Sequence, residues 1–356
     1  MLGLIVAFLT SFVVTLLIIR FKHLHQHFSG DSDLTGPQKF HKTVVPRIGG
    51  ISIAVGLFTA VLTKTFALGP TNPGFILLIC AIPTFAIGLT EDLTKNIGVR
   101  QRLLLTAISA ICVIYLLDIQ IKSLGIPLID FLFVIPYFGI AITVIAIAGL
   151  SNAYNIIDGF NGLSSMVGII TLLALGYVAY ILGDTTIIFL SLVMAGAILG
   201  FFIWNYPQGL IFLGDGGAYL IGFWIATLSI WLCFKYPEVS PWFALLINGY
   251  PVMETLFTIY RRRIHQNKSP GAPDGIHFHT LIYRRVLQTK CYDNALSANA
   301  RTAPYLWILA GLSITPAVLW WQSTPILIGA CAVFLISYTW IYSRIVKFKT
   351  PHWIHL

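Results

Sequence analysis

Eleven apolar stretches dominate this sequence, at 2–20, 48–68, 74–90, 102–118, 131–150, 163–182, 185–204, 216–234, 242–260, 303–322 and 325–343. A run of about 20 apolar residues matches the thickness of a bilayer core, where a helix satisfies every backbone N–H and C=O from within the segment. The chain has 356 residues, 57% hydrophobic and only 10% charged. A soluble fold would have to hide all eleven runs in one core, which chains of this length do not build. The expected fold class is therefore all-α: a polytopic integral membrane protein of about eleven transmembrane helices, a single transmembrane domain over 1–356. The first run lacks a basic leader and a small-residue cleavage site, so it reads as a retained span.

Charge sets the expected orientation. With the N-terminus outside and the C-terminus cytoplasmic, 19 of the 22 Lys and Arg fall on inner segments, and only Lys64, Lys122 and Lys235 face outward. Such a bias follows the positive-inside rule. The net charge of +9 then belongs to the cytoplasmic face, where it suits anionic membrane lipid and phosphorylated substrates. A nucleic-acid partner would want a basic soluble domain, and the sequence offers none. The inner loops expected to hold the chemistry are 21–47, 91–101, 151–162, 205–215 and 261–302. Four of the five cysteines lie in apolar runs and none forms C-x-x-C, so neither zinc nor disulfides are implied.

The acids on that face gather in short loops. Glu91-Asp92 ends the third run, at the end of a helix where negative charge is unfavourable and needs a cation or basic neighbour to offset it. In NAYNIIDGFNGL (Asn152 to Leu163), Asn152, Asn155, Asp158 and Asn161 recur at spacing three. On a helical turn they would share one face and present hard oxygen ligands for Mg²⁺ or partners for sugar hydroxyls. In FLGDGG (Phe212 to Gly217), glycines surround Asp215 directly before a span, a place where backbone N–H groups receive phosphate and an acid holds a metal. Plainer readings exist for each: a span-ending acid pair, a capping turn, and a simple N-cap.

His277 and His279 flank Phe278, and two residues at this spacing point the same way in extended chain. They could meet a sugar or a phosphate. His41, with Lys39, Lys42 and Arg47, adds positive charge to the same side. The stretch 276–287 alternates apolar and basic residues and reads as a short interfacial helix, while Arg261, Arg262 and Arg263 read first as a topology anchor.

Taken in order, six pieces resemble the polyprenyl-phosphate N-acetylhexosamine-1-phosphate transferases, glycosyltransferase family 4. They are H-K-T-V-V-P-R-I-G-G-I (His41 to Ile51), E-D (Glu91, Asp92), R-Q-R-L (Arg100 to Leu103), N-x-x-N-x-x-D-G-x-x-G-L (Asn152 to Leu163), F-L-G-D-G-G (Phe212 to Gly217) and P-D-x-x-H-x-H (Pro273 to His279). The resemblance implies transfer of an N-acetylhexosamine 1-phosphate from a UDP-sugar to undecaprenyl phosphate, releasing UMP, at the cytoplasmic face of a bacterial inner membrane. Such a reaction initiates lipopolysaccharide O-antigen or another envelope glycan. It also implies Mg²⁺, with Mn²⁺ as its substitute, held by Asn155 and Asp215. Glu91, Asp92 and Asp158 become the catalytic acids, the first two deprotonating or orienting the lipid phosphate. His41, Lys42, Arg47, Arg100, Arg102, Asn152, Asn161, His277 and His279 become substrate-binding, with Asp158, Asn161 and the two histidines lining the nucleotide-sugar pocket.

Three departures bear on that reading. The family usually carries Asp-Asp where this chain has Glu91-Asp92. It often has Asp at the position of Asn161, which therefore reads as no essential base. The peptidoglycan branch, which uses a muramoyl-pentapeptide donor, carries three consecutive His where this chain has H-F-H-T, so the surface-glycan branch is favoured. A transporter would carry ionisable residues near mid-bilayer. Apart from their first and last residues, these spans hold only Lys64 and Glu254, both close to span ends. Neither the sugar nor the number of copies that assemble, one or a homo-oligomer, is legible.

Overall fold

A computed structural model describes residues 2–31, 44–69, 71–267, 269, 274–287 and 295–348. It is built from helices α1 (Leu2–Arg20), α2 (Lys22–Ser29), α3 (Gly49–Leu68), α4 (Pro73–Thr94), α5 (Val99–Leu117), α6 (Pro127–Asp130), α7 (Phe138–Ile157), α8 (Leu163–Ile181), α9 (Thr185–Asn205), α10 (Gly214–Lys235), α11 (Pro241–Ile247), α12 (Gly249–Tyr260), α13 (Phe278–Ile282), α14 (Ala295–Leu319) and α15 (Thr324–Val346). Two short strands, β1 (Gly30–Asp31) and β2 (Val45–Pro46), pair antiparallel. Among the described residues ten helices are long and apolar enough to cross a membrane. The expected span at 242–260 is present as two shorter helices, α11 and α12, broken at Asn248. Pro251 explains the break, since its ring would strike the Ile247 carbonyl of a continuous helix.

Other boundaries differ from the sequence reading for identifiable reasons. The fifth span was expected at 131–150 but runs over Phe138–Ile157. Pro136 delays its start, and Ser151 and Asn152 extend it by bonding back to the carbonyls of Ile147 and Ala148, both at 2.8 Å. Likewise α4 continues to Thr94, so Glu91 and Asp92 lie on its last turns and not in a loop. It stops where Lys95 turns left-handed (φ 56°) and its N–H closes on the Glu91 carbonyl.

Helix α10 is the axis of the bundle and packs against α3, α4, α5, α7, α8, α9 and α11. Its neighbours approach through glycine, the small-residue packing that membrane helices use in place of a hydrophobic drive. A Cβ on Gly88 of α4 would lie 2.6 Å from the Gly216 backbone, and one on Gly222 would lie 2.7 Å from the Leu150 carbonyl of α7. The periphery is the reverse: Leu9, Phe66, Ile82, Tyr115, Ile145, Tyr180, Ile308 and Ile336 all point outward. Large apolar side chains over so much of the outer surface fit lipid contact.

Candidate active site

One end of the bundle collects the start of α3, α5 and α10 and the end of α4 and α7. Backbone hydrogen bonds weave these ends together. Phe212 donates its N–H to the Pro46 carbonyl at 2.9 Å, while Gly49 and Gly50 donate to Phe212 and Leu213 at 3.0 and 2.9 Å. Arg47, between β2 and α3, is thereby carried over the N-terminus of α10.

Asp92 reaches that N-terminus from α4. It is 1% exposed, and its two oxygens accept the backbone N–H groups of Asp215 (2.8 Å) and Gly216 (2.9 Å). An acid at this position complements the positive end of the helix dipole. Gly214 makes the approach possible: its φ is +77°, and a Cβ there would sit 2.6 Å from Asp92 Oδ2. Asp215 itself is no simple cap. Its carboxylate is gripped by Arg47 at 2.6 Å and Arg102 at 3.0 Å, and Arg47 Nε also lies 3.4 Å from Asp92. The buried Nε of Arg102 makes no hydrogen bond among the described residues. Tyr219, one turn along α10, donates to Asn155 Oδ1 of α7 at 3.4 Å.

Asp158 follows the end of α7. Burial and the nearby charge of Asp215 push its carboxyl up to about 7, against the opposing pull of Arg47. A raised carboxyl favours the folded state when protonated, so its contribution is complete below the unfolded value of about 3.9 and is lost as pH rises through about 7. In protein kept free of divalent cation, Asp158→Asn should therefore gain thermal stability progressively relative to the parent between about pH 4 and about pH 7. Melting curves across that range check it; a constant difference would contradict it.

The structure thus brings together Arg47, Asp92, Arg102, Asn155, Asp158 and Asp215. The remaining sequence candidates are placed differently. Glu91 accepts the Ile97 N–H at 2.7 Å and shapes the α4–α5 turn. Arg100 is exposed on the first turn of α5. Asn152 and Asn155 share α7, but the helix ends before Asn161. The expected four-residue face therefore does not form. Instead Asn161 donates its backbone N–H to Asn299 (3.1 Å) and its amide to the Pro207 carbonyl (3.2 Å). His41 and Lys42 lie outside the described residues.

His277 and His279 meet the same end of the bundle from α13. His277 precedes the helix in extended conformation, and its ring stacks on His279 with centroids 5.2 Å apart. His279 borders Gly159, beside Asp158, and its ring is edge-on to Phe160. Burial, then the neighbouring His277, push His279 down to about 3, so it is neutral at physiological pH. Its buried Nδ1 has no hydrogen-bond partner among the described residues, as expected of a group waiting for a ligand. The segment 278–287 is helical, as the pattern suggested, and mostly buried, with Arg284 exposed.

Sequence reasoning missed a second polar cluster behind these histidines. Arg261 and Arg262, taken for a topology anchor, are buried. Arg261 pairs with Asp274, and Arg262 lies 3.8 Å from the same acid. For Asp274, burial works against ionisation, but the Arg261 hydrogen bond and surrounding positive charge hold its carboxyl below the usual range. Glu254 lies 2.9 Å from His277 Nδ1. A single Glu in the stretch 242–260 was the available signal, because an ionisable residue in such a run is seldom idle.

Comparison with known proteins gives a consistent picture. Residues 74–233 match glycosyl transferase family 4. A probable undecaprenyl-phosphate N-acetylglucosaminyl 1-phosphate transferase of Bacillus subtilis (strain 168) is 29% identical over 289 residues, 78% of this chain and 77% of that protein. Undecaprenyl-phosphate alpha-N-acetylglucosaminyl 1-phosphate transferases of Thermotoga maritima and Escherichia coli (strain K12) are each 28% identical. The first covers 71% of this chain and 73% of its own, the second 78% and 75%.

Proposed function

We propose that this protein, whose residues 74–233 match glycosyl transferase family 4, transfers N-acetylhexosamine 1-phosphate from a UDP-sugar to undecaprenyl phosphate. The observation that carries this reading is the gathering of Arg47, Asp92, Arg102, Asn155, Asp158 and Asp215 at one end of an apolar bundle. Few chemistries need two arginines, three acids and an amide oxygen beside a lipid phase; phosphoryl transfer does, because it rests on positioning and charge neutralisation. In the proposed reaction an oxygen of the lipid phosphate attacks the β-phosphorus of the donor. The bond to the bridging oxygen breaks and UMP leaves. No water is consumed.

Each residue has a role in keeping with its surroundings. Arg47 and Arg102 balance the charge of the phosphates. With both oxygens engaged by backbone N–H groups, Asp92 fixes the head of α10. Asp158, whose carboxyl is tied to no backbone N–H among the described residues, is better placed to take the lipid phosphate's proton. The donor set also suits a magnesium ion: Asp158 and Asp215 are mutually repelling carboxylates beside the amide oxygen of Asn155, and a dication would relieve that repulsion. Asp215, on giving up an arginine to a phosphate, and Asn155 would hold it, and it would supply further neutralisation of the phosphate oxygens. His277 and His279 would face the nucleotide sugar. The crowding of Lys and Arg on this side supports a cytoplasmic orientation in a bacterial plasma membrane, with the product feeding surface-glycan assembly.

The test is UMP release by detergent-purified protein given undecaprenyl phosphate, Mg²⁺ and a panel of UDP-N-acetyl sugars, with chelator and no-lipid controls. Release that requires both lipid and metal is expected, and the sugar that supports it names the donor. No release with any sugar, from folded protein, would overturn the proposal.

A further inference from the structure

Glu254 occupies an expensive position. It is 1% exposed inside an apolar bundle, where an ionised carboxylate loses its hydration and regains it only through donors. Four groups converge on it. Oε1 lies 2.9 Å from His277 Nδ1 and 3.5 Å from the Thr258 hydroxyl; Oε2 accepts the Tyr338 hydroxyl at 2.7 Å; the Phe278 N–H is 3.3 Å from both oxygens. A carboxylate can only accept, so His277 must carry its proton on Nδ1, and in the neutral ring the lone pair then sits on Nε2.

The rest of the cluster holds that ring in place. His277 Nε2 faces Asp274 at 3.8 Å, and the ring stacks on His279, which stands against the Asp158 turn. Helix α15 closes the other side. Most of it is peripheral, yet Tyr338 and Tyr342 are buried: Tyr338 packs on Phe257 and Phe278, and Tyr342 donates to the Ile276 carbonyl at 2.9 Å. The three residues 276–278 are thus gripped by a carboxylate from α12 and two tyrosines from the last long helix. An apolar residue at 254 would hold the helices together without the desolvation cost. What it would not supply is a fixed tautomer.

We propose that Glu254, with Tyr338 as its second anchor, is a positioning residue: it locks the Nδ1–H tautomer and ring orientation of His277 for engagement of the UDP-sugar. This rests on the reading that His277 lines the donor site. It makes α15, which lies beyond the matched family segment, part of the donor-binding machinery.

The experiment pairs ¹⁵N-histidine spectra with steady-state kinetics of UMP release from UDP-N-acetylglucosamine. Glu254→Gln should release the His277 tautomer lock and raise KM for the donor about tenfold, with kcat changed far less, the size seen when the carboxylate behind a working histidine is removed. In a His277→Gln background the same change should add nothing. If His277→Gln raises KM but Glu254→Gln alters neither tautomer nor KM, the positioning role is overturned while the donor-site reading survives. If His277→Gln leaves KM unchanged, both fall. Should Glu254→Gln fail to fold, Tyr338→Phe keeps the ring and carries the test: a KM increase of about fivefold supports the proposal, and an unchanged KM overturns it.

Discussion

Replacing Asp215 with Asn is expected to slow UMP release by about a hundred- to a thousandfold, the usual loss when one preorganised electrostatic group is removed from a reacting centre. The shape of the side chain is kept, so the bundle should remain folded. The charge is not kept. Arg47 and Arg102 would then face each other across a neutral amide, and the end of α10 would lose its one first-turn acid. Asp215 is buried and its arginines are mostly so, so the stability cost should be about 3 kcal/mol, offset in part by relief of its repulsion with Asp158. Two readouts separate the causes. A loss of rate far larger than the fall in melting temperature explains, at a temperature where the variant is folded, assigns Asp215 to the chemistry. A weakened dependence of melting temperature on added Mg²⁺ assigns it to the metal. Full activity in this variant would remove the centre of the proposed function.

Gly88→Ala should be nearly as damaging although it touches no reactive group. The added methyl would meet the Gly216 backbone at 2.6 Å, and backbone cannot rotate away as a side chain would. Overpacking of this kind costs about 1–3 kcal/mol. Here the displaced atoms include the Gly216 N–H that binds Asp92, so the cap on α10 is disturbed and Asp215 moves with it. The expected result is a lower melting temperature together with a loss of activity larger than the stability change alone would produce. Gly149→Ala is the control. It lies in α7 with open space around the would-be methyl, and the swap should stabilise by about 0.4–1 kcal/mol. Equal behaviour of the two variants would show that the glycine contact does not set the geometry of the site.

Much of this architecture was written in hydropathy. Apolar runs of bilayer length mark spans almost by themselves, and the lipid-facing periphery follows from them. Where the reading slipped, a local interaction outweighed the pattern. Asn152 looked like the start of a loop, yet its amide satisfies the Ala148 carbonyl and the helix runs on. Pro251 sits within a run that looks continuous, and only its clash with residue 247 reveals the break. The acids of the reacting end were legible because carboxylates beside glycines are rare in such a composition. Their division of labour was not. That Asp92 spans two N–H groups of α10 while Glu91 turns away to Ile97 depends on helix phase across a tertiary contact. The Glu254 cluster was hidden for a related reason: its partners come from 258, 277, 278 and 338, and no local motif joins positions so far apart.

The interlocked glycine backbones at the head of α10 have an entropic consequence. With Gly88 against Gly216 and Gly50 against Gly217, the arginine and carboxylate platform is held by main chain and does not depend on the choice of rotamer nearby. A phosphate arriving there finds its partners already ordered, so little conformational freedom remains to be lost on binding. The histidine side is held instead by side-chain contacts from α12 and α15, so single substitutions there can reset it. Selectivity for one sugar over another can therefore drift with the sequence around α13 while the platform that handles the phosphates stays as it is.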